Sequence, residues 1–129
     1  MNGILAGVIA AAISWPVNSW ITERGGCWGL VFWVPLLEET LKTGLARQLG
    51  GELVLAHAVF GLIEGLYELQ RDRRIGSAVI ALGGHLFFGV MTGILWSFFP
   101  YWSLAVLGVA FLHSVWNWII LKLFTKGSG

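Results

Sequence analysis

Apolar residues in this chain come in blocks of about twenty, separated by short clusters of polar residues and glycine. The blocks are too long and too continuous for the helical stripe or strand alternation of a water-soluble domain. They match helices that cross a bilayer, for which about 20 mostly apolar residues suffice. Five spans are predicted: 1–21, ending near "TERGG"; 27–48; 52–70, ending at "RDRRIG"; 76–99, ending at Pro100; and 102–124. Loops of a few residues make consecutive spans antiparallel. The expected fold is therefore all-α, a polytopic transmembrane helix bundle with residues 1–126 in a single domain. The terminal Gly-Ser-Gly, 127–129, reads as a linker or tag remnant. Gly50 and Gly51 mark either a turn between two spans or a break within the membrane.

Composition agrees with the pattern. Of the 129 residues, 57% are hydrophobic and 12% charged, about half the charged share of ordinary soluble domains. A net charge of +1 offers no basic footprint for a nucleic acid, so the expected partner is the lipid bilayer. Cys27, alone in the sequence, excludes an internal disulfide. Arg24, Arg71, Arg73, Arg74, Lys122 and Lys126 fall at one end of the predicted bundle, and Arg47 with Lys42 towards the other. The positive-inside rule then puts the amino terminus outside and the carboxyl terminus in the cytoplasm. Trp15, Trp20, Trp28, Trp96 and Trp102 near span ends suit interfacial belts.

Against this background, Glu38, Glu39, Lys42, His57, Glu64, His85, His113 and Asn117 stand out, because all of them fall inside predicted spans. An ionisable group at the bilayer centre costs about 2–3 kcal/mol on insertion scales, which makes such residues candidates for function. At about 1.5 Å rise per residue, the acids and imidazoles of four spans reach overlapping depths. His113 and Asn117 share a helix face at i, i+4. Glu38 and Lys42 have the same spacing, so Lys42 can neutralise Glu38. Glu39, about 100° round the helix, is then freer to face the bundle interior, and the exchanged roles stay open. His85, Gly89 and Gly93 form a stripe that lets another backbone approach, either a packed helix or an extended substrate.

Several chemistries use such a set. A carboxylate can take a proton from water while an imidazole or amide stabilises an oxyanion. His85, His113 and Glu39 can instead ligate a divalent metal such as zinc, with a position left open for water. Carboxylates and imidazoles also build proton relays for coupled transport. A non-catalytic scaffold would use the same groups as a buried polar network. The residue types alone leave all four readings open.

The order of the motifs adds a resemblance. "EETLK" at 38–42, "FGLIEG" at 60–65, "HLFFGVMTG" at 85–93 and "LHSVWNW" at 112–118 follow one another on successive spans. This resembles the PrsW family of intramembrane proteases and, more distantly, the CAAX prenyl protease and bacteriocin-processing superfamily. The resemblance covers residues 32–118. It implies an integral protease of a prokaryotic cell membrane, acting on membrane-anchored proteins such as anti-sigma factors. Glu38 and Glu39 would be the glutamate pair, one of them activating water. His85 would join in water activation or metal binding, and His113 with Asn117 would stabilise the oxyanion or ligate. Glu64 and Lys42 would support the site, and Gly89 and Gly93 would line the substrate's approach. The cofactor is either none or a divalent metal. Gly65 departs from the family's pattern, which has asparagine there. His57 matches no motif and is expected to be a packing histidine.

Overall fold

The computed structural model describes residues 1–125, all of its regular structure helical. Lys126 and the predicted linker 127–129 lie outside the described residues. Four stretches are long and apolar enough to cross a membrane: Asn2–Leu49, Leu53–Arg71, Ile75–Phe98 and Trp102–Leu123. The first of these is not a single rod. Gly26 has φ 53° and ψ −137°, a conformation open to glycine and closed to most other residues. Beyond it the chain folds back, so that Asn18 reaches Glu38 at 2.7 Å. A straight helix would hold that pair about 30 Å apart. The stretch is thus two antiparallel arms, and the bundle has five helical segments, as the hydrophobic blocks predict.

In chain order these are α1 (Asn2–Trp28), a π-helical turn (Gly29–Trp33), α2 (Val34–Leu49), α3 (Leu53–Asp72), α4 (Ile75–Phe98) and α5 (Trp102–Thr125). Helical structure in α1 runs through "TERGG", past the predicted end at residue 21. Glutamate and arginine are good helix formers, and the Thr22 hydroxyl donates to the Asn18 carbonyl at 2.8 Å. The reversal therefore waits for Gly26. Gly50, with φ 62°, ends α2 in a left-handed cap, so the Gly50-Gly51 pair is a turn between spans.

The π-helical turn has a local cause. Pro35 has no N–H, and its ring crowds the carbonyl four residues back, so α-helical bonding fails there. The chain widens by one residue instead, and the Val34 N–H donates to the Gly29 carbonyl. In that register the next carbonyl, that of Leu30, would look to the missing N–H of Pro35. Asn117 of α5 supplies the donor, its Nδ2 lying 3.2 Å from Leu30 O.

Contacts at the two ends establish the up-and-down arrangement. At one end Asn2 Nδ2 donates to Leu49 O at 2.6 Å, and Arg47 lies over the Trp102 ring at 5.8 Å. The opposite end gathers the Gly26 reversal, the α3–α4 link and the last turns of α5, and with them Arg24, Arg71, Arg73, Arg74 and Lys122. Trp20 beneath Arg24 (4.6 Å) and Trp118 beneath Lys122 (4.3 Å) stand at this basic end.

Burial is inverted relative to a soluble bundle. Leu62, Phe87, Leu107, Phe111 and Leu123 are exposed, whereas Glu39, Lys42 and His57 are each 0% exposed. The protein is a membrane helix bundle whose outer surface suits lipid. Its most charged helix, α2, packs against α1, α3 and α5. On its far side α3 sits tightly on α4. A methyl group at Gly61 would lie 2.7 Å from His85 Cβ, and one at Gly89 would lie 2.9 Å from His57 Cβ.

Candidate active site

Five helices place their polar residues around one point. From α2 come Glu38, Glu39 and Lys42; from α3, His57 and Glu64; from α4, His85; from α5, His113 and Asn117. From α1 comes Asn18, which the motifs do not include. The group divides into a closed half and an open half.

Glu39 is the centre of the closed half. Its Oε1 accepts from Lys42 Nζ at 2.7 Å and from His113 Nδ1 at 2.9 Å. Its Oε2 accepts from His57 Nε2 at 2.9 Å. His57 also donates through Nδ1 to the Leu53 carbonyl at 2.9 Å, so both ring nitrogens act as donors. Lys42 Nζ is 2.9 Å from His85 Nδ1, 3.8 Å from Glu38 Oε2 and 4.5 Å from the Phe60 ring centroid. An ammonium only donates, so His85 Nδ1 accepts and its Nε2–H donates to Glu64 Oε2 at 2.5 Å. Each charge here meets an opposite charge or a hydrogen-bond partner, as burial away from water demands.

This arrangement chooses between the two assignments that the sequence leaves open for Lys42. Lys42 makes its close pair with Glu39 at i, i+3 and only a distant one with Glu38 at i, i+4. Both spacings lie on the same helix face, so the helix alone does not choose between them. The choice follows from α3 and α5, whose histidines converge on Glu39. Glu38 is the freer carboxylate. His57, expected to be a packing histidine, is one of the three donors that hold Glu39.

The open half faces a cleft of about 1140 Å³ lined by Ser14, Asn18, Glu38, Glu64, His85, His113 and Asn117, among others. On α5 the lining positions recur every three or four residues, at 113, 116, 117, 120 and 121. That helix therefore gives one stripe to the wall. Glu38 is 3% exposed; its Oε1 accepts from Asn18, while Oε2 has no hydrogen-bond partner among the described residues. Four ångströms (4.0 Å) from that free oxygen lies His113 Nε2. Since His113 Nδ1–H is given to Glu39, Nε2 can present its lone pair to the cleft. Phe88 stacks on the His113 ring with centroids 4.5 Å apart and planes 23° apart, which fixes the ring's attitude.

Asn117 lines the cleft while one amide hydrogen holds the Leu30 carbonyl, which leaves the second hydrogen of Nδ2 available. Gly89 lies against α3, where a methyl group would be 3.2 Å from Val54 Cα. Of the two partners expected at Gly89, the packed helix is the one present, and no substrate backbone fits. Gly93 is exposed, with nothing within 4 Å of a methyl group placed there. Gly65 touches α4, and its methyl would be 2.9 Å from Ala78 O, so the family's asparagine would not fit between these two helices.

A metal held by His85, His113 and Glu39 does not suit the donor set. Both nitrogens of His85 are engaged, one of them by an ammonium group, and both oxygens of Glu39 already accept from cations or imidazoles. Ligands must offer free lone pairs to a common point, and no group of three or more His, Cys, Asp or Glu residues does so among the described residues.

Sequence reasoning had a signal for Asn18 that it did not use. Asn18 and Ser14 are polar residues at i, i+4 inside the first span, the same pattern that singled out His113 and Asn117. No family model, curated protein or solved structure matches the chain.

Proposed function

We propose that this protein is an intramembrane endopeptidase that hydrolyses a peptide bond of a membrane-anchored protein, with Glu38 as the base that activates water. The observation that carries the reading is a pair of atoms beside the cleft, Glu38 Oε2, buried with no hydrogen-bond partner among the described residues, and His113 Nε2, 4.0 Å from it. One water can contact both. Glu38 takes a proton from it, and the hydroxide adds to the substrate carbonyl carbon. The second amide hydrogen of Asn117 provides a donor for the oxyanion. When the intermediate collapses, the C–N bond breaks and the proton on Glu38 passes to the leaving amine. Glu39 acts through His113, holding the imidazole by Nδ1 as second carboxylates do in triads. No step needs a metal.

The cleft wall continues to Glu23, Arg71 and Arg74 at the basic end of the bundle. The positive-inside rule assigns that end to the cytoplasm, with the amino terminus outside. A substrate would then enter from the cytoplasmic leaflet of a prokaryotic membrane. The resemblance to PrsW-type proteases suggests anti-sigma-factor-like substrates.

Reconstituted protein, assayed on membrane-anchored substrates, tests the reading. Glu38→Gln is expected to lower kcat by about 10²–10⁴-fold, the usual worth of a general base, with the fold retained. Full cleavage by that variant would end the proposal. Cleavage by the unmodified protein is expected to survive prolonged dialysis against a chelator, and loss restored by zinc would overturn the metal-free step. The closed half of the cluster favours a second reading, a scaffold locked by buried charge. That reading requires undetectable cleavage of every membrane-anchored substrate tried.

A further inference from the structure

Helix α1 lies outside the four motifs, yet it brings two unsatisfied polar atoms to the cleft. Ser14 is 1% exposed and its Oγ has no hydrogen-bond partner among the described residues. Thr43 Oγ1 is in the same state, but only Ser14 of the two lines the cleft. Thr22, Thr40, Thr92, Ser97 and Ser114 all turn their hydroxyls back to a carbonyl three or four residues earlier, the ordinary fate of a hydroxyl in a membrane helix. One turn further on, Asn18 Nδ2 donates to Glu38 Oε1 at 2.7 Å. The reverse orientation would set an amide oxygen against a carboxylate, so Nδ2 must face Glu38 and Oδ1 must face away. Oδ1 is buried and has no partner among the described residues, and the same is true of Glu38 Oε2. Three oxygens on one wall of the cleft thus lack a donor. In a low-dielectric site such a group is costly unless something occupies it.

We propose that Ser14 and Asn18 form a subsite for the backbone of an extended peptide, accepting one of its amide N–H groups beside Glu38. The chemistry fits an unwound substrate segment. A peptide leaving helical form inside a membrane exposes N–H groups that must find acceptors. Asn18 Oδ1 is an acceptor only, and the Ser14 hydroxyl can accept as readily as donate. Side chains of the substrate are not selected by such a wall; an available N–H is. This proposal rests on the peptidase reading for the identity of its ligand, but not on turnover.

The test uses the full chain in nanodiscs and a fluorescein-labelled transmembrane peptide of leucine and alanine. A set of matching peptides each carries one ester oxygen in place of a central backbone N–H. Binding is read by anisotropy and cleavage by gel. In the unmodified protein, one ester position is expected to raise Kd by about three- to tenfold, the worth of one hydrogen bond. In Ser14→Ala or Asn18→Ala that penalty should fall below about twofold, a coupling that general loss of packing would not produce. Thr22→Val, which removes a hydroxyl already bonded within α1, should leave the penalty intact.

The same penalty in all four proteins would overturn the subsite. So would the absence of any penalty, since the wall would then hold water alone. Absence of peptide binding overturns it as well. A penalty that depends on Ser14 or Asn18, in a protein that never cleaves, would support the subsite and refute the peptidase reading alone.

Discussion

Adjacent glutamates on one helix occupy opposite electrostatic situations, and that difference sets their expected behaviour. Glu39 is 0% exposed and compensates Lys42 and His57, which are equally buried. Removing it takes the acceptor from three buried donors, Lys42, His57 and His113. Glu39→Ala is therefore expected to cost about 3–5 kcal/mol, the range for breaking a buried pair by deleting one partner. Glu38→Ala removes a carboxylate that has one firm hydrogen bond and a free oxygen, and should cost markedly less. Unfolding of both variants in mixed micelles compares them directly. Equal losses would contradict the division into closed and open halves. Both glutamates were legible as candidates from sequence, because acids inside an apolar block are rare. Their division of labour was not, since Lys42 can reach either from one face of α2.

The π-helical turn is a small element with a specific repair. Pro35 withholds the N–H that the Leu30 carbonyl would take in that register, and Asn117 of α5 makes up the difference at 3.2 Å. Pro35→Ala restores a backbone donor and should make Asn117 partly redundant for stability. A double-mutant cycle between Pro35→Ala and Asn117→Ala is expected to show a coupling of about 1 kcal/mol, the net worth of one hydrogen bond. Additive effects would mean that the amide does not serve the turn. At the α3–α4 contact, Gly61→Ala would drive a methyl group to 2.7 Å from His85 Cβ. Overpacking of this kind costs about 1–3 kcal/mol, and here it would also displace the ring that joins Lys42 to Glu64. The turn's location could be guessed from proline and glycine in the sequence; its partner 87 residues away could not.

For the whole molecule, orientation has a natural reporter. Cys27 is the sole cysteine, is exposed, and lies next to the Gly26 reversal at the basic end. The proposed orientation puts that end in the cytoplasm, so a membrane-impermeant maleimide should label inverted vesicles and leave right-side-out vesicles unlabelled. The opposite result would turn the molecule over and move the cleft mouth to the outer leaflet.

The sequence by itself determined the class of the fold and the number of helical segments. Those depend on the length and continuity of apolar blocks, quantities that survive without knowledge of how the helices pack. It also marked most of the polar cluster, because an ionisable residue in hydrocarbon is costly wherever its helix stands. Only the tertiary structure decided which carboxylate Lys42 neutralises, that His57 belongs to the network, and that Gly89 meets α3 rather than a substrate. The same holds for Asn18 and Ser14, brought to the cleft because the chain reverses at Gly26. Pairing of charges in a bundle is set by which helices are neighbours and how each is rotated. A linear chain records the faces of its helices, but the partner each face meets is decided when they assemble.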